Sequence, residues 1–148
     1  MQRRFLLLSC LCAIIFLTGC DKNDIEPVDP MVSLLTSAPW KFSKMEADGN
    51  DVSSAVSACA QDNTITFHAS FDGEVKESNN VCAPSYAKNF FWGLTENNTK
   101  LDVSSIIFPG GQPEFTIVSA SETTLVLRQV TTLIPGPSEV IVTITLVH

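Results

Sequence analysis

Alternating apolar and polar positions run through most of the chain after residue 39. Such alternation is typical of strands with one buried face, because successive side chains of a strand point to opposite sides. Turn residues interrupt the pattern at short intervals, which predicts an all-β domain of about eight antiparallel strands. We expect an up-and-down meander that closes into a barrel. The predicted strands lie within WKFSKMEA (40–47), NTITFHA (63–69), EVKES (74–78), NFFWGL (89–94), TKLDVSS (99–105), the end of IIFPGGQPEFTIVSA (106–120), TTLVLRQV (123–130) and SEVIVTITLVH (138–148).

The same alternation predicts which side chains form the core. We expect the large apolar residues to point inward and their neighbours, such as His68 and Asp102, to face solvent. Before the first strand, DPMVSLLTSAP predicts a short helix with Asp29 as its N-cap and Pro30 at its first position. VSSAVSACA (52–60) is the other segment with a helical-turn pattern. The residues expected inside are Trp40, Phe42, Ile65, Phe67, Phe90, Trp92, Leu94, Leu101, Val103, Phe115, Ile117, Leu125, Leu127, Ile144 and Leu146.

Four of the inward aromatic residues are the candidate ligand-binding residues: Phe67, Phe90, Trp92 and Phe115. Together they would line an apolar pocket at the mouth of the barrel. The alternative is an ordinary core, since an eight-stranded barrel is either filled by its own side chains or holds one small ligand. The sequence leaves both alternatives open.

The N-terminus has the pattern of a secretory signal peptide. Arg3 and Arg4 precede a mainly apolar run of 13 residues, 5–17. A membrane-spanning helix needs about 20 apolar residues, so this run is too short to span a bilayer and fits the apolar middle of a signal peptide.

The run ends in Leu17-Thr18-Gly19-Cys20, which resembles the lipobox of bacterial lipoproteins. The resemblance implies cleavage before Cys20 and attachment of acyl chains to its sulfur and its new amine. Two or more acyl chains hold a protein stably on a bilayer. We therefore expect residues 1–19 to be a lipoprotein signal peptide and the protein to be anchored in a gram-negative cell envelope, at the outer membrane, with the leaflet undetermined. An ordinary secretory signal with an incidental Cys20 is the alternative.

The charge of the mature chain is strongly negative. Loss of Arg3 and Arg4 from the 9 basic residues leaves 7 against 16 acidic residues, a net charge of −9. This charge argues against nucleic acid and anionic membrane surfaces as partners, so the expected membrane contact is the lipid. Residues 20–30 follow the signal peptide, are rich in acids and proline, and predict a tether before a domain at 31–148.

Cys59 and Cys82 are the two cysteines left after Cys10, Cys12 and Cys20 are assigned to the N-terminal segment. An even pair in an oxidising compartment predicts a disulfide, with two free thiols as the alternative. Two cysteines without a histidine cluster do not make a zinc site.

The sequence contains no catalytic motif. Only two histidines are present, and the sequence pairs neither His68 nor His148 with a nucleophile. The acidic pairs in DGND (48–51) and FDGE (71–74) are expected to form turns, since calcium needs six or more oxygen ligands. We therefore expect a protein that is not an enzyme and that carries no metal and no cofactor.

Two loops rich in proline and glycine carry apolar residues. IIFPGGQP (106–113) contains Phe108, and LIPGP (133–137) contains Ile134. Because exposed apolar loop tips mark protein contacts, Phe108 and Ile134 are candidate partner residues. The alternative is a lid that packs back over the end of the barrel.

The order of these motifs resembles the lipocalin-like domains of small bacterial lipoproteins, over about residues 32–147. The resemblance rests on LLTSAPWKFSKMEADGNDVS, ACAQDNTITFHASFDGEV, the second cysteine, FFWGL and FTIVSASETTLVLRQV. One departure is Ala38, where lipocalins typically have glycine two places before the first tryptophan. The resemblance implies a meander barrel that binds a small apolar or amphipathic ligand. The alternative is a solid barrel that serves as an interaction or accessory subunit of an outer-membrane complex; the ligand, partner and oligomeric state stay open.

Overall fold

A computed structural model describes residues 28–135 and 139–148. The predicted signal peptide (1–19), Cys20 and most of the predicted tether (20–30) lie outside the described residues. Within the described part of the chain, no helix has both the length and the apolar character needed to cross a bilayer.

Eight strands form a closed antiparallel barrel, which confirms the predicted all-β meander. Consecutive strands pair in order from β3 to β9, and β1 pairs with both β3 and β9 to close the wall. The two-residue β2 pairs only with β1. The strands are β1 (Trp40–Ala47), β2 (Asn50–Asp51), β3 (Thr64–Phe67), β4 (Asp72–Lys76), β5 (Lys88–Thr95), β6 (Lys100–Val103), β7 (Glu114–Ala120), β8 (Thr124–Thr131) and β9 (Val140–Val147).

The two ends of the barrel differ in the length of their connections, because consecutive strands run in opposite directions. The short-turn end carries the turns 68–71, 96–99 and 121–123. The long-loop end carries the connections 48–63, 77–87, 104–113 and 132–139. The first of these contains a 3-10 turn (Ser53–Ala55) and helix α2 (Ala58–Gln61), in the segment for which the sequence suggested a helical turn.

Helix α1 (Pro30–Leu35) covers the short-turn end. Its start is as predicted, because Asp29 Oδ1 accepts a hydrogen bond from Met31 N at 2.7 Å and Pro30 occupies the first turn. The other carboxylate oxygen of Asp29 accepts from Asn98 Nδ2 at 2.7 Å, which ties the start of the helix to the turn between β5 and β6.

Trp40 lies beneath this helix and is completely buried. Its indole Nε1 donates to the carbonyl oxygen of Leu35 at 2.9 Å. The ring of His148 lies against the indole, with 3.8 Å between ring centroids. The first and last strands of the barrel are thus joined at this end by side-chain packing as well as by backbone hydrogen bonds.

The predicted inward faces agree with the observed burial except after two β-bulges. In β1 the register shifts between Phe42 and Lys44, and the fully buried residue that follows is Met45, on the opposite alternation from Trp40. In β7 the register shifts between Ile117 and Ser119, and Val118 is 45% exposed. A bulge adds one residue to a strand and so reverses which alternate positions face inward.

A disulfide between Cys59 and Cys82 is present, as predicted, with 5.3 Å between the two Cα atoms. It joins α2 to the 77–87 connection at the long-loop end. The carboxylate of Glu77 organises the same connection by accepting hydrogen bonds from the backbone N–H groups of Tyr86 and Cys82, each at 3.0 Å. These bonds and one from Ser85, with the Tyr86 bond contributing most, hold the pKa of Glu77 below its ordinary value.

Gly73 on β4 provides a direct test of how tightly the barrel is packed. An added Cβ at Gly73 would lie 2.5 Å from the ring of Phe90 and 2.6 Å from the carbonyl oxygen of Thr66. Because the backbone oxygen cannot rotate away, we expect Gly73→Ala to lower the free energy of unfolding by about 1–3 kcal/mol in urea denaturation.

The matched control is Gly93→Ala on the neighbouring strand β5. An added Cβ at Gly93 would meet no atom within 4 Å. We expect this variant to stay within about 0.5 kcal/mol of the parent protein. Equal denaturation midpoints for the two variants would contradict the tight approach between β4 and β5.

Candidate functional site

The four aromatic residues predicted to line a ligand pocket lie in the packed centre of the barrel. Phe67, Phe90, Trp92 and Phe115 are 2%, 3%, 5% and 1% exposed. The ring of Phe67 packs edge-on against Phe90 and Trp92, with centroid distances of 5.6 and 5.4 Å. A side chain that lines an internal cavity is accessible to solvent-sized molecules from that cavity. Phe67 and Phe115 have almost no accessible surface, so they do not line a cavity. Their role in binding stays a prediction, and it requires the rings to separate.

The long-loop end of the barrel is closed by its own loops. A cavity of about 10 Å³ lies there, bordered by Phe42, Tyr86 and Phe108 among others. A buried water molecule needs at least roughly this volume, so the cavity has no room for an organic ligand.

Phe108 is part of this closure, and the expectation that it is an exposed partner residue is wrong. Its side chain is 5% exposed, and its ring lies 5.7 Å from that of Phe42. Burying this ring against the end of the barrel is favourable, so the loop packs inward. The loop is therefore the lid that was the alternative to an exposed contact. Ile134 is half-buried and packs against the core, so its role as a partner residue stays a prediction. The exposed large hydrophobic residue of the first loop is Ile106, at 46%.

The acidic pairs weighed as cation ligands form local contacts. Asp48 lies in the β1–β2 turn with a φ of 49°, and Asp51 Oδ1 accepts from Ser53 N at 2.9 Å. Asp72 accepts from His68 and Ser70, and Glu74 pairs with Lys76. Among the described residues, no three His, Cys, Asp or Glu side chains come together as a metal-binding group.

A groove of about 500 Å³ lies on the outer wall of the barrel, across β6 to β9. We call it the Arg128 groove and define it by Lys100, Thr116, Arg128, Gln129, Val130 and Ile141. This volume falls within the 300–1,000 Å³ typical of small-molecule sites.

The strand register brings the residues of the Arg128 groove together. Thr116 on β7 lies opposite Lys100 on β6 and Arg128 on β8. Val130 on β8 lies opposite Ile141 on β9. All five point outward, because at least one neighbour of each along its strand is buried. A row of donors therefore borders an apolar pair on the same face of the sheet.

Two cations lie in this groove, and they are differently engaged. Lys100 forms an ion pair with Glu114, which raises the pKa of the lysine. Arg128 is exposed and forms no ion pair with any residue that the structure describes. Beside it, Ile141 is 57% exposed. The groove thus combines an available guanidinium with exposed apolar surface.

Gln129 lies beneath the groove and is 5% exposed. Its Oε1 accepts from Gln112 N at 3.0 Å and so fixes the segment that forms one wall. Its Nε2 donor has no hydrogen-bond partner among the described residues. Because an unpaired buried donor costs about 1–3 kcal/mol, an acceptor atom that reached Nε2 would stabilise this site.

The sequence contains a partial signal for this site. Alternation places Arg128 on the outward face of the seventh predicted strand, but it marks neither Gln129 nor Ile141 as part of a site. The signal was the run Val140-Ile141-Val142, which breaks the alternation and places an apolar side chain on the outward face. The position of Ile141 beside Arg128 depends on the pairing of β8 with β9, which alternation along a single strand does not predict.

A closed, eight-stranded antiparallel meander with a helix over one end defines a small barrel of the ligand-binding type. The chain belongs to the family of lipocalin-like domains, since the family model described as "Lipocalin-like domain" matches residues 38–127, more than half of the chain. Domains with this fold are typically non-enzymatic. A search of curated proteins found no match to this sequence.

Proposed function

We propose that this protein is a lipid-anchored binding module of the bacterial cell envelope, and that the Arg128 groove binds an amphipathic small molecule with an anionic head group. The anchor is assigned to Cys20 on the strength of the lipobox resemblance. The observation that supports the binding site is an exposed arginine without an ion-pair partner in the described residues, next to an exposed isoleucine.

The chemistry of the groove suits an oxyanion head group such as a carboxylate. A guanidinium presents paired N–H donors that match the two oxygens of a carboxylate, and such charge-assisted hydrogen bonds are stronger than neutral ones. Val130 and Ile141 offer apolar surface for an aliphatic chain, at about 0.8 kcal/mol for each CH₂ group that is buried. The filled centre of the barrel supports a site on the outer wall.

The negative charge of the whole chain does not prevent this binding. At physiological ionic strength the Debye length is about 8 Å, so distant acidic residues are largely screened from a ligand in the groove. Arg128 acts at hydrogen-bond distance, where screening is small. We therefore expect the local guanidinium to dominate over the net charge of −9 that remains once Arg3 and Arg4 are removed.

The test compares decanoate with decanol, which has the same chain length but no charge. With the full chain purified in a neutral detergent, we expect decanoate to bind more tightly than decanol in a thermal-shift titration. Because a hydrogen bond to a charged group is worth about 1.5–3 kcal/mol, Arg128→Gln should weaken decanoate binding roughly 10- to 100-fold.

Lys41→Gln is the control, since Lys41 is an exposed cation on β1 outside this groove. We expect it to bind decanoate as the parent protein does. Unchanged decanoate binding by Arg128→Gln would contradict the proposal. If decanoate instead changed the emission of the core residues Trp40 and Trp92, the ligand would have entered the barrel.

A further inference from the structure

An exposed phenylalanine marks a second groove on the opposite part of the wall. Phe91 on β5 is 72% exposed and lies opposite Asp72 on β4. The groove around it has a volume of about 350 Å³. We call it the Phe91 groove and define it by His68, Asp72, Glu74, Asn89, Phe91 and Ser104. It shares no residue with the Arg128 groove.

The turn at one edge of the Phe91 groove is held in place by the core. Trp92 Nε1 donates to the carbonyl oxygens of His68 and Asp72, at 3.2 and 3.0 Å. Phe71, in a left-handed conformation with a φ of 64°, packs its ring against the same indole at 5.0 Å. The positions of His68 and Asp72 are therefore fixed before any ligand arrives.

Both carboxylates in this groove are engaged by neighbouring side chains. Asp72 accepts from His68 Nδ1 at 2.8 Å and also from the hydroxyl of Ser70. These bonds, with Ser70 contributing most, hold the pKa of Asp72 below its ordinary value. Glu74 Oε1 accepts from Lys76 Nζ at 2.6 Å. The groove consequently holds no carboxylate without a local partner, and its acidic character disfavours an anionic ligand.

Both donors and acceptors around the ring are still available. Ser104 Oγ accepts from Phe91 N at 2.8 Å, so its own hydroxyl proton is free to be donated. The side-chain amide of Asn89, the second ring nitrogen of His68 and the second oxygen of Glu74 have no hydrogen-bond partner among the described residues. A purely apolar ligand would strip water from these groups without replacing it, which costs free energy.

We infer that the Phe91 groove binds a neutral carbohydrate, with one pyranose ring stacked on Phe91. A pyranose has a flat face of C–H groups that suits an aromatic ring, and a rim of hydroxyls that both donate and accept. The groove offers the same two elements: an exposed ring, surrounded by hydrogen-bond donors and acceptors. The inference is independent of the amphipathic ligand proposed for the Arg128 groove.

The experiment uses saturation-transfer NMR on the full chain in neutral detergent with a panel of neutral methyl pyranosides. At concentrations of about 10–50 mM, which cover millimolar affinities, we expect transfer to the ring C–H protons of at least one sugar. Phe91→Ala should weaken binding about tenfold, as expected for the loss of one stacked ring. Phe91→Leu keeps apolar surface without the aromatic face and should also bind more weakly.

Ile141→Ala is the matched control, because it removes an exposed apolar side chain from the other groove. We expect it to bind the sugar normally. Equal transfer with the parent protein and Phe91→Ala, or no transfer from any pyranoside, would overturn the inference. A native gel cast with a neutral polysaccharide separates two sources of the sugar: retardation that depends on Phe91 indicates a polymer, and binding of methyl pyranosides alone indicates a free sugar.

Discussion

Trp40→Ala is expected to lower the free energy of unfolding by about 3–5 kcal/mol, as large aromatic truncations in packed cores do. Trp40 is completely buried, as is Leu35 above it, and the ring of His148 lies 3.8 Å away. The substitution also leaves the carbonyl oxygen of Leu35 without the indole donor. Urea denaturation should show a lower midpoint with an unchanged slope.

Phe91→Ala is the matched control for this prediction, because it truncates an aromatic residue that is 72% exposed. We expect its stability to stay within about 0.5 kcal/mol of the parent protein. If both variants lost the same free energy, burial beneath α1 would not explain the effect of Trp40.

Cys20→Ala is expected to abolish acylation completely, since the thiol of Cys20 is the proposed attachment point of the lipid. Loss of the acyl chains removes an anchor that two or more chains would make stable. The measurement is incorporation of an alkyne-tagged fatty acid in growing cells, followed by immunoprecipitation. The tag is more decisive than membrane fractionation, because an uncleaved signal segment can itself keep the chain at a membrane.

Cys12→Ala is the control, since Cys12 lies inside the predicted signal peptide and would leave with it. This variant should incorporate the fatty acid as the parent protein does. Incorporation of the tagged fatty acid by Cys20→Ala would contradict the assignment of the lipid to the thiol of Cys20.

Local patterns predicted the elements of this fold well, because they depend on neighbouring residues. Asp29 and Pro30 predicted the start of α1, and alternation predicted the strand from Trp40 to Ala47. The bulges in β1 and β7 were not predicted. An extra residue such as Val118 has no distinctive side chain, and the partner strand decides where the register shifts.

The candidate sites were harder to predict, because they depend on contacts between distant residues. The sequence could not decide between a pocket and a packed core at Phe67 and Phe115, which are buried in the structure. Alternation predicts the direction of each side chain but not the space between the side chains. The sequence left Phe108 either exposed or packed in a lid, because loops have no period that indicates burial. The Arg128 groove unites Lys100 with Ile141, and only the register across β6 to β9 brings them near.

The closed wall has a consequence for the membrane-anchored state proposed above, if many copies share one membrane. The part of β1 beyond its pairing with β3 is covered by the next connection, where Val52 N donates to Met45 O at 2.8 Å and Met45 N donates to Ser53 Oγ at 2.9 Å. Open sheet edges invite neighbouring molecules to add strands. Copies confined to two dimensions collide often, yet the described residues of this wall offer them no long run of unpaired backbone. Crowded molecules would meet through side chains and stay separate instead of polymerising.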